Sequence, residues 1–147
     1  MGNICRSPAA EIIFRSTTTE AGRHEEFVID SAGTIGFHQG NPPDARMAAT
    51  LRRRGYDVQT SGARQIQRKD LDTFDLIVTM DASNTEDVLE LATGPEQRAK
   101  VRPFTEFCAH LDVSEVPDPY YGGADGFDHV VDILEDGCPA ILGQFPK

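Results

Sequence analysis

The sequence predicts an α/β fold, a parallel sheet with helices on both faces, in a single domain over residues 1–147. Three observations carry that expectation. Segments of helical spacing alternate with short apolar runs, and strands that alternate with helices pair in parallel because each crossover returns the chain to the same end of the sheet. Leu76-Ile77-Val78 is an unbroken apolar run, the pattern of a strand covered on both faces. Phe127, Val130, Val131, Leu134, Cys138, Ile141, Leu142 and Phe145 recur at helical intervals and mark a closing helix packed on the core.

Taken in order, Ser7-Pro8 reads as an N-cap followed by proline at the first helical position, with Glu11 in the first turn. That helix is expected over residues 8–21, stopping at Gly22. Phe27-Val28-Ile29 reads as a buried strand leading into Asp30-Ser31-Ala32-Gly33-Thr34. Asn41-Pro42 opens a second helix with Met47, Ala48 and Leu51 on one face and Gly55 at its end. A short helix follows over 68–74, then the strand over 76–78 running into Met80-Asp81, a helix over 83–92 and a strand over 100–104. Pro139 should kink or interrupt the last helix, since it removes a backbone donor. In such sheets the active site lies outside the carboxyl ends of the strands, where the strand-to-helix loops gather. The first of these loops begins at Met1, without the strand that would feed it.

Composition narrows the function. Hydrophobic residues at 39% and charged residues at 26% are those of a globular domain. The 24 acidic against 14 basic residues leave a net charge of −10. That balance argues against nucleic acid and membrane partners, which need a basic face. No apolar stretch is long enough to span a bilayer, and no signal pattern opens the chain. Cys5, Cys108 and Cys138 fit neither a disulfide framework nor a zinc site. His24, His38, His110 and His129 lack ligand spacing, so neither a metal nor another cofactor is expected. The reading is a reduced, cytoplasmic protein.

An anion site can still be built locally. Gly2-Asn3-Ile4-Cys5-Arg6-Ser7 precedes a helix, where backbone N–H groups converge on an anion. An arginine in such a loop grips two phosphate oxygens with its fork of donors. A capped helix with a surface arginine remains the plainer alternative.

Gly2-Asn3-Ile4-Cys5-Arg6-Ser7-Pro8 strongly resembles the signature of the low molecular weight protein tyrosine phosphatases: Cys, five residues, Arg, then Ser or Thr. Asp118-Pro119-Tyr120-Tyr121-Gly122 resembles the family's second loop. The resemblance covers essentially the whole chain. It implies a three-layer, doubly wound, flavodoxin-like sheet and hydrolysis of phosphotyrosine and aryl phosphates through a phosphocysteine. It implies that Arg6 holds phosphate and that Asp118 is the general acid. Gly2, Asn3, Ile4, Cys5, Arg6 and Ser7 would form the phosphate loop, with Ser7 both capping the helix and supporting the thiolate. Phe37, Tyr120 and Tyr121 would line the slot for the aromatic ring. Partners would be phosphotyrosine proteins and a tyrosine kinase, and the protein a monomer.

Matching Arg6 to the motif arginine places the nucleophilic cysteine one residue ahead of Met1. The chain is therefore expected to lack its first, central strand and its nucleophile, and to be inactive as it stands. In the family a cysteine at the position of Cys5 resembles a redox partner of the nucleophile; a buried thiol is the plainer reading. The segments containing Asp30, Arg64, Asp81 and Asn84 also resemble family segments and are read as structural. Two alternatives stay open: a binding module that holds phosphate or phosphotyrosine without turnover, and an arsenate reductase on the same scaffold. The latter would need a cysteine relay from Cys108 and Cys138.

Overall fold

The computed structural model describes residues 2, 4–36, 38–119 and 123–146. Helix α1 (Arg6–Glu20) buries Ala9, Ile12 and Ile13 along one face. It starts two residues earlier than proline placement suggests. Its N-cap is Cys5, without a side-chain cap hydrogen bond, so Ser7 lies inside the first turn and not at the cap. At the other end Gly22 adopts φ +70, which a glycine enters without steric cost, and the Arg23 N–H reaches back to the Thr18 carbonyl at 2.8 Å.

Helix α2 (Ala45–Arg53) is capped by Asp44, whose side chain accepts from the Arg46 N–H. It begins after the Asn41-Pro42 pair and not at it. Gly55, at φ +92, ends it, with the Tyr56 N–H bonded to the Leu51 carbonyl. The short α3 (Asp70–Thr73) precedes β1 (Ile77–Thr79). Then come α4 (Ala82–Leu91), α5 (Pro95–Ala99) and β2 (Val101–Pro103). Sequence periodicity does not reveal α5, which is little more than a turn. A 3₁₀ turn (Phe104–Phe107) takes over where strand was expected to continue.

β1 and β2 pair in parallel, Ile77 opposite Val101 and Thr79 opposite Pro103. Gly33 and Gln65 form a separate parallel bridge. The fold is thus α/β with a parallel sheet, as expected. Helices α4 and α5 pack on the strands, while α1 and α2 pack on α6 (Ala124–Gly143). The α6 stripe is fully buried at Val130, Val131, Ile133 and Leu134. Pro139 does not end the helix, which continues to Gly143. Proline removes one donor near the last turn, and Phe127 to Ile141 stay anchored in the core.

Phe27-Val28-Ile29 is not a ladder strand. Phe27 is extended (φ −124, ψ 140) and its ring stands edge-on between Phe14 and Phe145, but Val28 is 85% exposed. Its two ends are fixed, by that aromatic stack and by the Gly33–Gln65 bridge, and no described strand lies alongside its middle. Ile77 and Val78 are correspondingly half-buried, not enclosed on both faces.

Candidate active site

Arg6, at the start of α1, is 4% exposed. Its guanidinium gathers three parts of the chain. One nitrogen donates to Asp81 Oδ2 at 2.7 Å and to the Val116 carbonyl at 2.8 Å. The other reaches Asn84 Oδ1 at 3.5 Å and stands 4.0 Å from Asp118 Oδ2. The two residues singled out for phosphate binding and proton donation therefore share one end of one groove, together with Gly2, Ile4, Cys5 and Ser7.

The loop that carries Asp118 is fixed from both sides. The Val116 N–H donates to the Met80 carbonyl at 2.8 Å, at the end of β1, and the Val116 carbonyl accepts from Arg6. Val116 and Pro119 are buried, so Asp118, its side chain 33% exposed, stands between two anchored neighbours. Asn3, Phe37, Tyr120 and Tyr121, expected in the phosphate loop and the aromatic slot, lie outside the described residues.

Asp81 and Asn84, read from sequence as structural, hold the arginine. Asp81 does so with one oxygen while the other accepts the Asn84 N–H at 2.8 Å and caps α4. One carboxylate thus starts a helix and orients the guanidinium. The signal was present in sequence as an Asp three residues ahead of Asn, an N-cap spacing, though nothing local ties it to Arg6. His38 also belongs here. Its ring lies so close to Gly2 that a Cβ on Gly2 would clash with it, which explains a glycine at that position.

The cysteines are not poised as nucleophiles. Burial, reinforced by Asp44 and Asp118, pushes the Cys5 thiol up to about 12. Cys5 thus matches the plainer reading of a buried thiol. Burial likewise raises Cys108 and Cys138, and Cys138 is 1% exposed among core side chains. A thiolate at neutral pH requires the opposite environment.

Burial also works against ionisation of Asp44, Asp70 and Asp81, and yet their hydrogen bonds prevail and hold all three below the ordinary value of 3.8. Asp44 is held by Arg46, Asp70 by Arg64 and the Gln67 amide, and Asp81 by the Asn84 amide and Arg6. A folded-state pKa below the unfolded one adds stability that is complete above the unfolded value and is lost as pH falls through the folded one. The urea midpoint should therefore be level from pH 7 to about 5 and drop as pH falls below about 4. A midpoint unchanged down to pH 3 would contradict these assignments.

Among the described residues no group of three or more His, Cys, Asp or Glu is placed to hold a metal ion, and no helix is long and apolar enough to cross a membrane.

The family model for low molecular weight phosphotyrosine protein phosphatase matches residues 1–147. The low molecular weight protein-tyrosine-phosphatase YfkJ of Bacillus subtilis is 38% identical over 100% of this chain and 92% of its own length. A Streptomyces coelicolor low molecular weight protein-tyrosine-phosphatase is 40% identical, over 96% and 87% respectively. Among solved structures, a protein tyrosine phosphatase from Entamoeba histolytica superposes with a TM-score of 0.94 at 39% identity, covering 98% of this chain and 91% of that one.

Proposed function

Because the chain belongs to the low molecular weight phosphotyrosine protein phosphatase family, we propose that its site handles phosphotyrosine and other aryl phosphates, with Arg6 as phosphate ligand and Asp118 as general acid. The observation that carries this reading is the Arg6 guanidinium, buried, tied to Asp81 and Val116, and 4.0 Å from Asp118. An arginine fixed in this way meets a phosphate without first being ordered. Loop amides and the N-terminus of α1 add to the positive field.

The reaction follows in two steps. A cysteine thiolate attacks phosphorus, forming an S–P bond as the P–O bond to the phenol breaks, and Asp118 delivers the proton that the leaving phenolate takes up. Water then attacks the phosphocysteine, Asp118 accepts its proton, and inorganic phosphate leaves with the thiolate restored. Arg6 and the loop amides hold the equatorial oxygens throughout. The thiolate is not Cys5, Cys108 or Cys138, whose thiols burial holds protonated. Cys5 also directly precedes the arginine, too near in sequence to reach the centre of the cradle. Three free thiols suit the reducing cytoplasm, which is the proposed place of action. Phosphotyrosine proteins are the proposed substrates.

The test compares two proteins on p-nitrophenyl phosphate: the 147-residue chain and the same chain extended ahead of Met1 by a short apolar segment ending in cysteine. The first should be inactive and the second active. Equal inactivity, with a fluorescent phosphotyrosine peptide bound by both, would favour a binding module instead. Arsenate-dependent thiol oxidation by the extended protein would favour the reductase.

A further inference from the structure

A second cavity shares a loop with the site of Arg6. It measures about 740 Å³, within the ~300–1,000 Å³ of clefts that hold ligands. One wall is α2, which presents Ala45, Ala48 and Arg52 on a single face. The chain turns at Gly55 and returns as the opposite wall over residues 58–62.

The returning wall is fixed along its length. At its start the Tyr56 N–H bonds to the Leu51 carbonyl, and in its middle Arg15 of α1 donates to the Gln59 carbonyl at 3.0 Å. At its end Gly40 and Asn41 are laced to Ala63 by two hydrogen bonds of 2.7 Å. Gly62 comes so near that a Cβ on it would stand 3.0 Å from the Gly40 carbonyl oxygen. Pro42 and Pro43 line the same end with backbone of fixed φ. A groove built in this way needs little reordering to receive a ligand.

Three observations describe the occupant. The first is the lining. Pro43, Ala45, Ala48 and Val58 are apolar, and the N–H groups of residues 58–61 make no backbone hydrogen bond among the described residues. An extended segment can lay an apolar side chain on the former and carbonyls on the latter. The second is charge. Arg46 is paired with Asp44, Arg53 with Asp128, and Arg54 with Asp128, Asp132 and Glu135. Arg52 has no ion pair among the described residues, and it is the one charged side chain among them that lines the groove. Its complement is a carboxylate. The third is position. The loop over residues 38–44 borders both cavities: His38 packs against Gly2 and the Asp44 N–H donates to the Ile4 carbonyl at 2.7 Å, while Gly40, Pro42 and Pro43 line the groove.

We propose that this groove docks the segment of a phosphotyrosine protein that flanks the phosphotyrosine, with an apolar side chain over Ala45 and Ala48 and a carboxylate at Arg52. From Ala45 to Arg52 the helix rises about 10 Å, the reach of ~3 residues of extended chain. The apolar residue therefore lies nearer the phosphotyrosine and the acidic one farther along. This assignment rests on Arg6 as the phosphate ligand only for what the segment is attached to; the groove itself is tested without phosphate.

The experiment uses the 147-residue protein and a fluorescent peptide of two leucines, two alanines and two glutamates, in that order. Binding should be saturable by anisotropy and should shift the amide signals of Ala48, Val58 and Gly62. Lysines in place of the glutamates should weaken it about three- to tenfold at low salt. Arg52→Glu should reverse that preference, and because Arg52 is exposed and leaves no ion-pair partner behind among the described residues, the variant should melt with the unaltered protein. A non-hydrolysable phosphonate analogue of phosphotyrosine joined ahead of the leucines should tighten binding by about tenfold or more; joined after the glutamates, it should not. No binding, shifts confined to residues 4–7, or a preference unchanged by Arg52→Glu would overturn the proposal. So would the same shifts produced by protein concentration alone, since the occupant would then be a second copy of the chain. Tightening by the phosphonate with equal affinity for glutamate and lysine peptides would overturn the groove and keep Arg6 as phosphate ligand. A phosphonate that adds nothing, while Arg52 still selects glutamate, would remove the reading of Arg6 and keep the groove.

Discussion

In the chain extended by a segment ending in cysteine, Asp118→Asn should slow hydrolysis of phenyl phosphate by about 10²–10⁴-fold. The loss on p-nitrophenyl phosphate should be much smaller. Phenolate is a basic leaving group and departs readily only as it takes a proton; nitrophenolate leaves without one. An asparagine preserves the shape of the side chain and most of its contacts, so the contrast between leaving groups isolates the proton. The fold supports this use of Asp118, because Val116 is bonded to both Met80 and Arg6 and Pro119 is buried. The measurement is kcat for both esters in both proteins. Equal and modest losses would remove Asp118 from the role of acid.

Arg6→Ala should be costly in a different way. It removes the donor from the Val116 carbonyl and leaves Asp81, 18% exposed at its side chain, without its cation. Breaking a buried pair from one side costs about 3–5 kcal/mol, a fall in melting temperature of roughly 10 °C for a chain of this size. Much of that cost belongs to the abandoned carboxylate. Adding Asp81→Asn should therefore restore part of the stability, since asparagine still caps α4 while carrying no charge. Arg6→Lys keeps the charge and gives up the fork. It should retain most of the stability but lose the stabilisation that inorganic phosphate confers on the unaltered protein. Additive melting losses in the double variant, or phosphate stabilisation unchanged by Arg6→Lys, would show that the guanidinium does not act as described.

The chain's own text carried the α/β class and the position of α6, which are matters of periodicity. Arg6 and Asp118 were singled out by a resemblance carried in two short loops, and the fold brings the two side chains within 4.0 Å of each other. The text did not carry what depends on distant neighbours. Asp81 looks like any helix cap until the fold brings it to Arg6, which lies 75 residues away. His38 looks like a loop histidine until its ring is seen against Gly2. Phe27-Val28-Ile29 has the composition of a strand, but a strand is a relation between two segments, and composition describes only one. Ser7 was displaced from the cap because the helix starts two residues earlier, at Arg6, whose side chain is held from elsewhere.

The bonds that orient Arg6 also set when the site can exist. They join residues 75 and 110 positions apart, and contacts between such distant segments carry a large closure entropy and form late. Helices α1 and α6 can each take shape early, but the guanidinium has no fixed direction until the ends of the chain meet beside β1. During refolding, phosphate binding should thus return with the slowest packing phase, after helical circular dichroism has recovered. The proposed anion site would be a clock for the completion of the whole domain.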